Sequence, residues 1–228
     1  MPRDFCAATA PMEWSDADRD TVAGQLDGLE RDAQLHRLFA SAAARGFRNL
    51  LRFHHGAAYD IDAGRYRSTE TSAWVSPKGN TVAFSDRYFA NTQRDPFGAF
   101  SLQKQILLHE LSHAGARGDW FQAVTAAAGW YETPQGWRVR EFSETQWREI
   151  QRKNSEWQRL LGEGRVAEAY RLNREAGLAL GFPSVYAFDS PEESFAKWVS
   201  YAALSSPDEL ARLRPEVVRA LRETVLAP

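Results

Sequence analysis

Two histidines separated by three residues, His109 and His113, lie in the stretch LLHELSHAGARGD at residues 107–119. The apolar residues before and between them recur at the spacing of a helix, and Gly115 is typical of a helix end. Side chains four residues apart lie on the same face of a helix, so the two imidazoles must lie side by side. A helix with this apolar content has to be packed into a core, and the rest of the fold has to be arranged around it.

Paired imidazoles on one helix face are a known way to bind a metal ion. Zn²⁺ is bound by histidine nitrogens at about 2.0–2.1 Å, so His109 and His113 are predicted Zn²⁺ ligands. Glu110 is rotated about 100° around the helix axis, which puts its carboxylate beside the ion and suits it to act as a general base. The alternative is that both histidines only form ordinary hydrogen bonds.

A catalytic zinc ion usually has three protein ligands, so the two histidines need a third. The nearest candidate, Asp119, falls on the last position of His-Glu-x-x-His-x-x-Gly-x-x-His/Asp, the extended motif of the metzincin zinc peptidases. Ala116 replaces the glycine of that motif, and the methionine turn of these enzymes has no counterpart, because the only methionines are Met1 and Met12. We therefore expect Asp119 to be a helix-capping or loop residue, and keep it as an alternative ligand.

The second candidate lies in YAFDSPEESFAKW, residues 186–198. EESFA and the His-Glu-x-x-His helix resemble parts of the anthrax lethal factor-like metallopeptidases, which are zincins of the gluzincin type. The resemblance implies Glu193 as the third zinc ligand and Tyr186 as a catalytic tyrosine. This chain has Lys197 where that family commonly has an acidic residue, so Asp189 is the candidate acceptor for the remaining ring N–H of a zinc-bound histidine.

The residues of this segment also allow other interpretations. On a helical wheel, Glu192 points nearer to the apolar side than Glu193, and only one of two adjacent side chains can reach an ion. Ser190 and Glu193 have the spacing of a capping box, in which the glutamate carboxylate accepts the serine backbone N–H. Tyr186 equally fits an ordinary aromatic residue of a loop.

The three remaining histidines are predicted to be structural. His36 lies among apolar residues and is expected to be a partly buried scaffold residue. His54 and His55 are adjacent, so their side chains point in different directions in any regular structure, and at most one of them could approach a metal ion.

The segments around the motif predict an α+β, zincin-like fold, in which a small mixed sheet or hairpin precedes the motif helix. Residues 15–44 have the spacing of one or two amphipathic helices. Residues 72–76 and Thr81–Ser85 predict a hairpin whose turn contains Gly79 and Asn80. Thr81–Ser85 is also our candidate for an edge strand that pairs with extended substrate.

The second half of the chain is predicted to be largely helical. A second hairpin is expected around residues 134–136, followed by a capping box of Ser143 and Gln146. Helical patterns then continue to Leu161 and over residues 165–180, and SPEE and SPDE mark two further helix starts with proline at the first position. We predict one domain over 1–228, made of a helical scaffold (1–46), the sheet with the motif helix (47–118), and an insertion and helical part that carries the third ligand (119–228).

Composition limits the partners and the location. The net charge of −2 gives no general electrostatic basis for binding nucleic acid. The sequence has a single cysteine, so an internal disulfide is excluded. It contains no run of about 18 apolar residues, so we predict no membrane span. We expect a monomer. It would be secreted or periplasmic if a signal peptide is removed, and cytoplasmic otherwise.

Together these features predict a bacterial zinc-dependent endopeptidase that acts on a protein or peptide substrate. One alternative is a non-catalytic zinc-binding or partner-binding module that uses exposed aromatic residues, although such a module has no need of Glu110. The others are a metzincin-like peptidase with Asp119 as ligand and a metal-dependent hydrolase acting on a substrate such as a peptidoglycan crosslink.

Overall fold

The chain divides into two compact units. The computed structural model describes residues 4–5, 13–53, 58–60, 65–67, 72–76, 79–96 and 100–226. Unit 1 comprises Met1–Gln93 and Ser101–Ala116, together with Pro228, and unit 2 comprises Arg94–Phe100 and Arg117–Ala227. The single domain predicted over residues 1–228 stays a prediction.

The described residues of unit 1 form a four-stranded mixed sheet, a two-stranded ribbon and four helices. The strands are β1 (Asp4–Phe5), β2 (Asn49–Phe53), β3 (Ala58–Asp60), β4 (Arg65–Arg67), β5 (Ala73–Val75) and β6 (Thr81–Ser85). The sheet has the order β1-β2-β6-β5, with β1, β2 and β6 parallel and β5 antiparallel to β6, while β3 and β4 form a separate antiparallel ribbon. The predicted hairpin is confirmed, since Val75 pairs with Val82 across a turn in which Gly79 has a φ of +70°.

The prediction that Thr81–Ser85 is an edge strand is wrong. β6 pairs with β2 on one side and with β5 on the other, and all five of its residues are buried. The hairpin pattern identifies only the antiparallel neighbour. A parallel partner is joined through a long crossover and leaves no local pattern in the sequence. β6 therefore has no open side for a substrate strand.

The helices predicted over residues 15–44 and at the motif are confirmed, and a short helix at Asp86–Ala90 was not predicted. The helices of unit 1 are α1 (Asp16–Glu30), α2 (His36–Ala44), α3 (Asp86–Ala90) and α4 (Leu102–Gly115), with a short 3-10 turn at Ala33–Leu35. Ser15 caps α1 by accepting the backbone N–H of Asp18 at 3.1 Å. Val22, Leu26 and Leu29 are buried at the three- and four-residue spacing of one helix face.

Gly115 is the last residue of α4, as predicted, but packing and not a left-handed backbone is what requires glycine here. Its φ is not among the positive values, so it is not the left-handed cap residue that a helix-ending glycine usually provides. A Cβ at this position would lie 2.6 Å from Leu38 Cδ1 and 2.8 Å from the Leu38 carbonyl oxygen. Glycine is needed here because α4 packs closely against α2.

Unit 2 is mainly helical, as predicted for the C-terminal half. Its elements are α5 (Gly118–Ala127), β7 (Trp130–Thr133), β8 (Gly136–Val139), α6 (Glu144–Gly162), α7 (Val166–Leu178), a 3-10 turn (Val185–Phe188), α8 (Pro191–Leu204), α9 (Pro207–Leu210) and α10 (Pro215–Glu223). β7 and β8 form the predicted hairpin, and the Ser143–Gln146 capping box is present. Both proline-led helix starts are confirmed.

A buried ionic cluster joins three segments of unit 2. Asp95 accepts a hydrogen bond from Arg174 Nε at 3.4 Å and another from the Tyr201 hydroxyl at 3.0 Å. The Arg174 and Asp95 side chains are only 2% and 0% exposed. The guanidinium also lies 4.1 Å from the centroid of the Tyr201 ring, and burial raises the pKa of the Tyr201 phenol, which keeps it a hydrogen-bond donor.

None of the helices in the described part of the chain is both long and apolar enough to cross a membrane.

Replacing Asp95 is expected to destabilise unit 2 strongly. Asp95→Asn removes the charge opposite a buried guanidinium, and breaking a buried pair in this way costs about 3–5 kcal/mol. The free energy of unfolding measured by urea denaturation should fall by about 3 kcal/mol. The exposed Asp208 in α9 provides the control, since Asp208→Asn should change stability little. An equal loss in both variants would contradict a structural role for the cluster.

Candidate functional site

The motif helix α4 is buried on nearly all sides. Eleven of its 14 residues are buried, and within unit 1 it packs against α1, α2, β5 and β6. Ser101 caps it by accepting the backbone N–H of Lys104 at 3.1 Å. Ser112 Oγ donates to the Leu108 carbonyl at 2.6 Å, so this buried hydroxyl is satisfied within the helix. The apolar residues of the motif therefore hold the helix in the core, as their spacing predicted.

His109 and His113 are brought together by this helix. Their Nε2 atoms lie 3.3 Å apart and their ring planes are 89° apart, while His109 is only 5% exposed. Two nitrogens bound tetrahedrally at about 2.0–2.1 Å from zinc would lie about 3.3–3.4 Å from each other. The distance also suits an N–H···N hydrogen bond with one ring protonated, so it permits metal binding without requiring it.

Glu110 lies next to His109 in the same turn of α4 and is only 7% exposed. A glutamate is seldom buried to this extent unless its carboxylate has a partner or a function. Its position beside the paired imidazoles suits the predicted role of general base.

In unit 2, Glu193 lies in the first turn of α8. Ser190 caps this helix by accepting the Glu193 backbone N–H at 3.1 Å, which is the serine half of the predicted capping box. The Glu193 side chain is half-buried and Glu192 is exposed. The helical-wheel prediction that favoured Glu192 is wrong, because residues 194–202 are all buried and α8 has no single apolar side.

Asp189 lies just before α8 and close to Glu193. Burial, then the nearby Glu193 carboxylate, raise the pKa of the Asp189 carboxyl, and a hydrogen bond from Asn154 partly opposes this effect. Asn154 Nδ2 donates to Asp189 Oδ1 at 3.1 Å. This bond holds Asp189 against α6, and it was not foreseen in the sequence, because 35 residues separate the two partners.

Tyr186 lies in the 3-10 turn of unit 2 and is half-buried. Its ring packs on that of Trp157 with centroids 4.9 Å apart, and its backbone N–H donates to Asn173 Oδ1 at 3.0 Å. Lys197 Nζ lies 5.3 Å from the centroid of the Tyr186 ring. The tyrosine is therefore in contact with residues of α6, α7 and α8.

Asp119 is an exposed residue in the first turn of α5. Its carboxylate accepts two hydrogen bonds from Arg117, at 3.1 and 3.0 Å, and its side chain is 61% exposed. A carboxylate in the first turn is also stabilised by the helix dipole. The expectation that Asp119 is a helix-capping or loop residue is wrong, because Arg117 is the N-cap of α5, no side chain caps this helix, and Asp119 lies inside its first turn.

The remaining histidines are His36, His54 and His55. His36 is exposed, so its predicted partial burial is wrong: the neighbouring apolar residues face the core while His36 begins α2 on the solvent side. His54 and His55 lie outside the described residues.

Comparisons with protein-family models, with curated proteins and with solved structures found no significant match to this chain.

The ionised Asp189 side chain is expected to destabilise the metal-free protein slightly. A carboxyl whose pKa is raised on folding lowers stability above its folded pKa and has no effect below its unfolded value. Asp189→Asn should therefore raise the free energy of unfolding at pH 7 by up to about 1 kcal/mol, since the partly exposed group is screened by solvent.

The pH dependence provides the test. The gain should shrink as the pH falls from neutral through the raised pKa of this carboxyl, and it should be absent below the ordinary pKa of an aspartate. Asp20→Asn on the exposed side of α1 is the control and should show no such trend. A gain that does not change with pH would contradict this explanation.

Proposed function

We propose that the protein is a zinc-dependent endopeptidase with a zincin-like fold of the gluzincin type. His109, His113 and Glu193 would bind Zn²⁺, Glu110 would act as general base, and Tyr186 would donate a hydrogen bond to the substrate. The 3.3 Å separation of the two histidine Nε2 atoms supports this proposal most directly, because it equals the separation expected for two nitrogens on one tetrahedral ion.

The donor set suits a catalytic zinc ion. Two imidazoles and one carboxylate are three protein ligands of the types zinc prefers, and they leave a fourth position open. When bound, Zn²⁺ would lower the pKa of a coordinated water and polarise the scissile carbonyl. The half-buried Glu193 suits a ligand better than the exposed Glu192 or Asp119, whose carboxylate already accepts hydrogen bonds from Arg117.

The chain's own residues would carry the proton transfers. The Glu110 carboxylate would take a proton from the attacking water and pass it to the nitrogen of the leaving amine, so one carboxylate would serve as base and then as acid. The Tyr186 hydroxyl would donate to the carbonyl oxygen as that oxygen gains negative charge. Such a contact lowers the barrier because it is strongest in the transition state.

A module that binds a partner through exposed tryptophans has less support. Among the described residues, the only exposed large hydrophobic side chain is that of Trp137, which is 42% exposed. A single side chain of this kind is common on protein surfaces and does not define a binding surface.

Metal stoichiometry tests the third ligand. Purified wild type should bind about one zinc ion per chain, and Glu193→Ala should weaken zinc binding by more than about 100-fold because it removes one of three protein ligands. Glu192→Ala and Asp119→Ala are matched carboxylate controls and should bind zinc as the wild type does. Wild-type zinc affinity in Glu193→Ala would contradict the proposal that Glu193 is the third ligand of a gluzincin site.

Cleavage of casein tests the reaction. Wild type loaded with zinc should cleave this unstructured protein, and Glu110→Gln should lower the rate by about 10²–10⁴-fold, because the amide cannot accept the proton. The variant should keep its zinc, which metal analysis would verify. If zinc-loaded wild type cleaves neither casein nor a mixed peptide pool, the proposal that the protein is a peptidase is contradicted. Cleavage of a peptidoglycan fragment would then favour a metal-dependent hydrolase that acts on peptidoglycan crosslinks.

A further inference from the structure

Lys197 is a buried cation on α8. It is 6% exposed and lies four residues after Glu193, so the two side chains lie on the same face of the helix. Lysine is almost never buried to this degree without a specific interaction, because removing an ammonium group from water is costly. The position therefore calls for a physical explanation within unit 2.

The Tyr186 ring supplies part of that explanation. Lys197 Nζ lies 5.3 Å from its centroid, within the roughly 6 Å at which a cation is attracted to an aromatic face. Trp157 packs against the same ring, and Asn173 accepts the Tyr186 backbone N–H. Tyr186 also packs on the small cluster of Trp157, Leu160 and Ala169. Three helices thus restrict a residue that lies in a single 3-10 turn.

We propose that Lys197 is a positioning residue that acts through Tyr186. This inference rests on the proposed function, in which the Tyr186 hydroxyl donates to the developing oxyanion. The ammonium group holds the ring in one orientation and draws electron density from its π-system, which makes the phenol a stronger hydrogen-bond donor. Lys197 does not itself touch the substrate.

The competing role for Lys197 is charge neutralisation. Glu193 lies one turn before it on α8, and the nearby Asp189 adds a second carboxylate. If Lys197 only offset these charges, its loss would act independently of the Tyr186 hydroxyl. If Lys197 neutralises charge, the losses of kcat from the Lys197 and Tyr186 substitutions should multiply in the double mutant. If Lys197 positions Tyr186, they should not.

A double-mutant cycle on the zinc-loaded enzyme separates these roles. Lys197→Met should lower kcat about 10-fold, which is the change in rate expected if a desolvated cation–π contact is lost from the transition state. The KM should stay within about twofold of the wild-type value. Lys197→Gln should behave similarly, and Lys197→Arg should restore most of the rate. In a Tyr186→Phe background, Lys197→Met should have little further effect, since interacting residues are not additive. Lys153→Met removes one charge from α6 of the same unit and is the control.

A second readout uses the metal-free protein and needs no activity. The NMR signals of the Tyr186 ring, assigned by their loss in Tyr186→Phe, should shift in Lys197→Met and Lys197→Gln, return towards wild type in Lys197→Arg, and stay unchanged in Lys153→Met. Unchanged ring signals in Lys197→Met and Lys197→Gln overturn the inference whatever the activity.

The outcomes also separate this inference from the proposed function. If the wild type is active and the fold-changes in kcat caused by the Lys197 and Tyr186 substitutions multiply in the double mutant, only the proposed role of Lys197 is overturned. A zinc-loaded wild type that cleaves no peptide overturns the proposed function, and with it the catalytic consequence drawn for Lys197.

Discussion

The burial of α4 is the constraint on which the candidate site depends. The helix packs against α1, α2 and two strands, and this packing sets its orientation and therefore the direction in which His109 and His113 project. Gly115 allows α4 to approach α2 closely. The same burial makes each polar residue on the helix costly unless it has a partner, and Glu110 is one of the buried polar residues beside the histidines.

In unit 2, α8 has the corresponding role. It begins at the Ser190 cap and carries Glu193 in its first turn, then Lys197, and then Tyr201 in the buried cluster with Asp95 and Arg174. A helix fixed by that cluster holds its first turn in a defined position within the unit. Tyr186 lies outside this helix, and its ring centroid is 5.3 Å from Lys197 Nζ. Stability and candidate chemistry are therefore concentrated on one element.

Much of the local structure could be predicted from the sequence. Hairpins, caps and proline-led helix starts depend on residues close together in the chain, and these predictions are confirmed. The errors concern orientation and long-range pairing. The central position of Thr81–Ser85 depends on a parallel partner far upstream. The exposure of Glu192 and of His36 depends on which side of each helix the fold covers.

The sequence alone determined that α4 carries paired histidines with a glutamate between them, because a spacing of four is a property of any helix. It also determined that Glu193 lies in the first turn of a helix capped by a serine. Only the tertiary structure decided that Trp157, Asn173 and Lys197 surround Tyr186, and that Asp95 pairs with Arg174. These contacts join residues far apart in the chain or on separate elements. They depend on how whole elements pack, and no short pattern of residues encodes that packing.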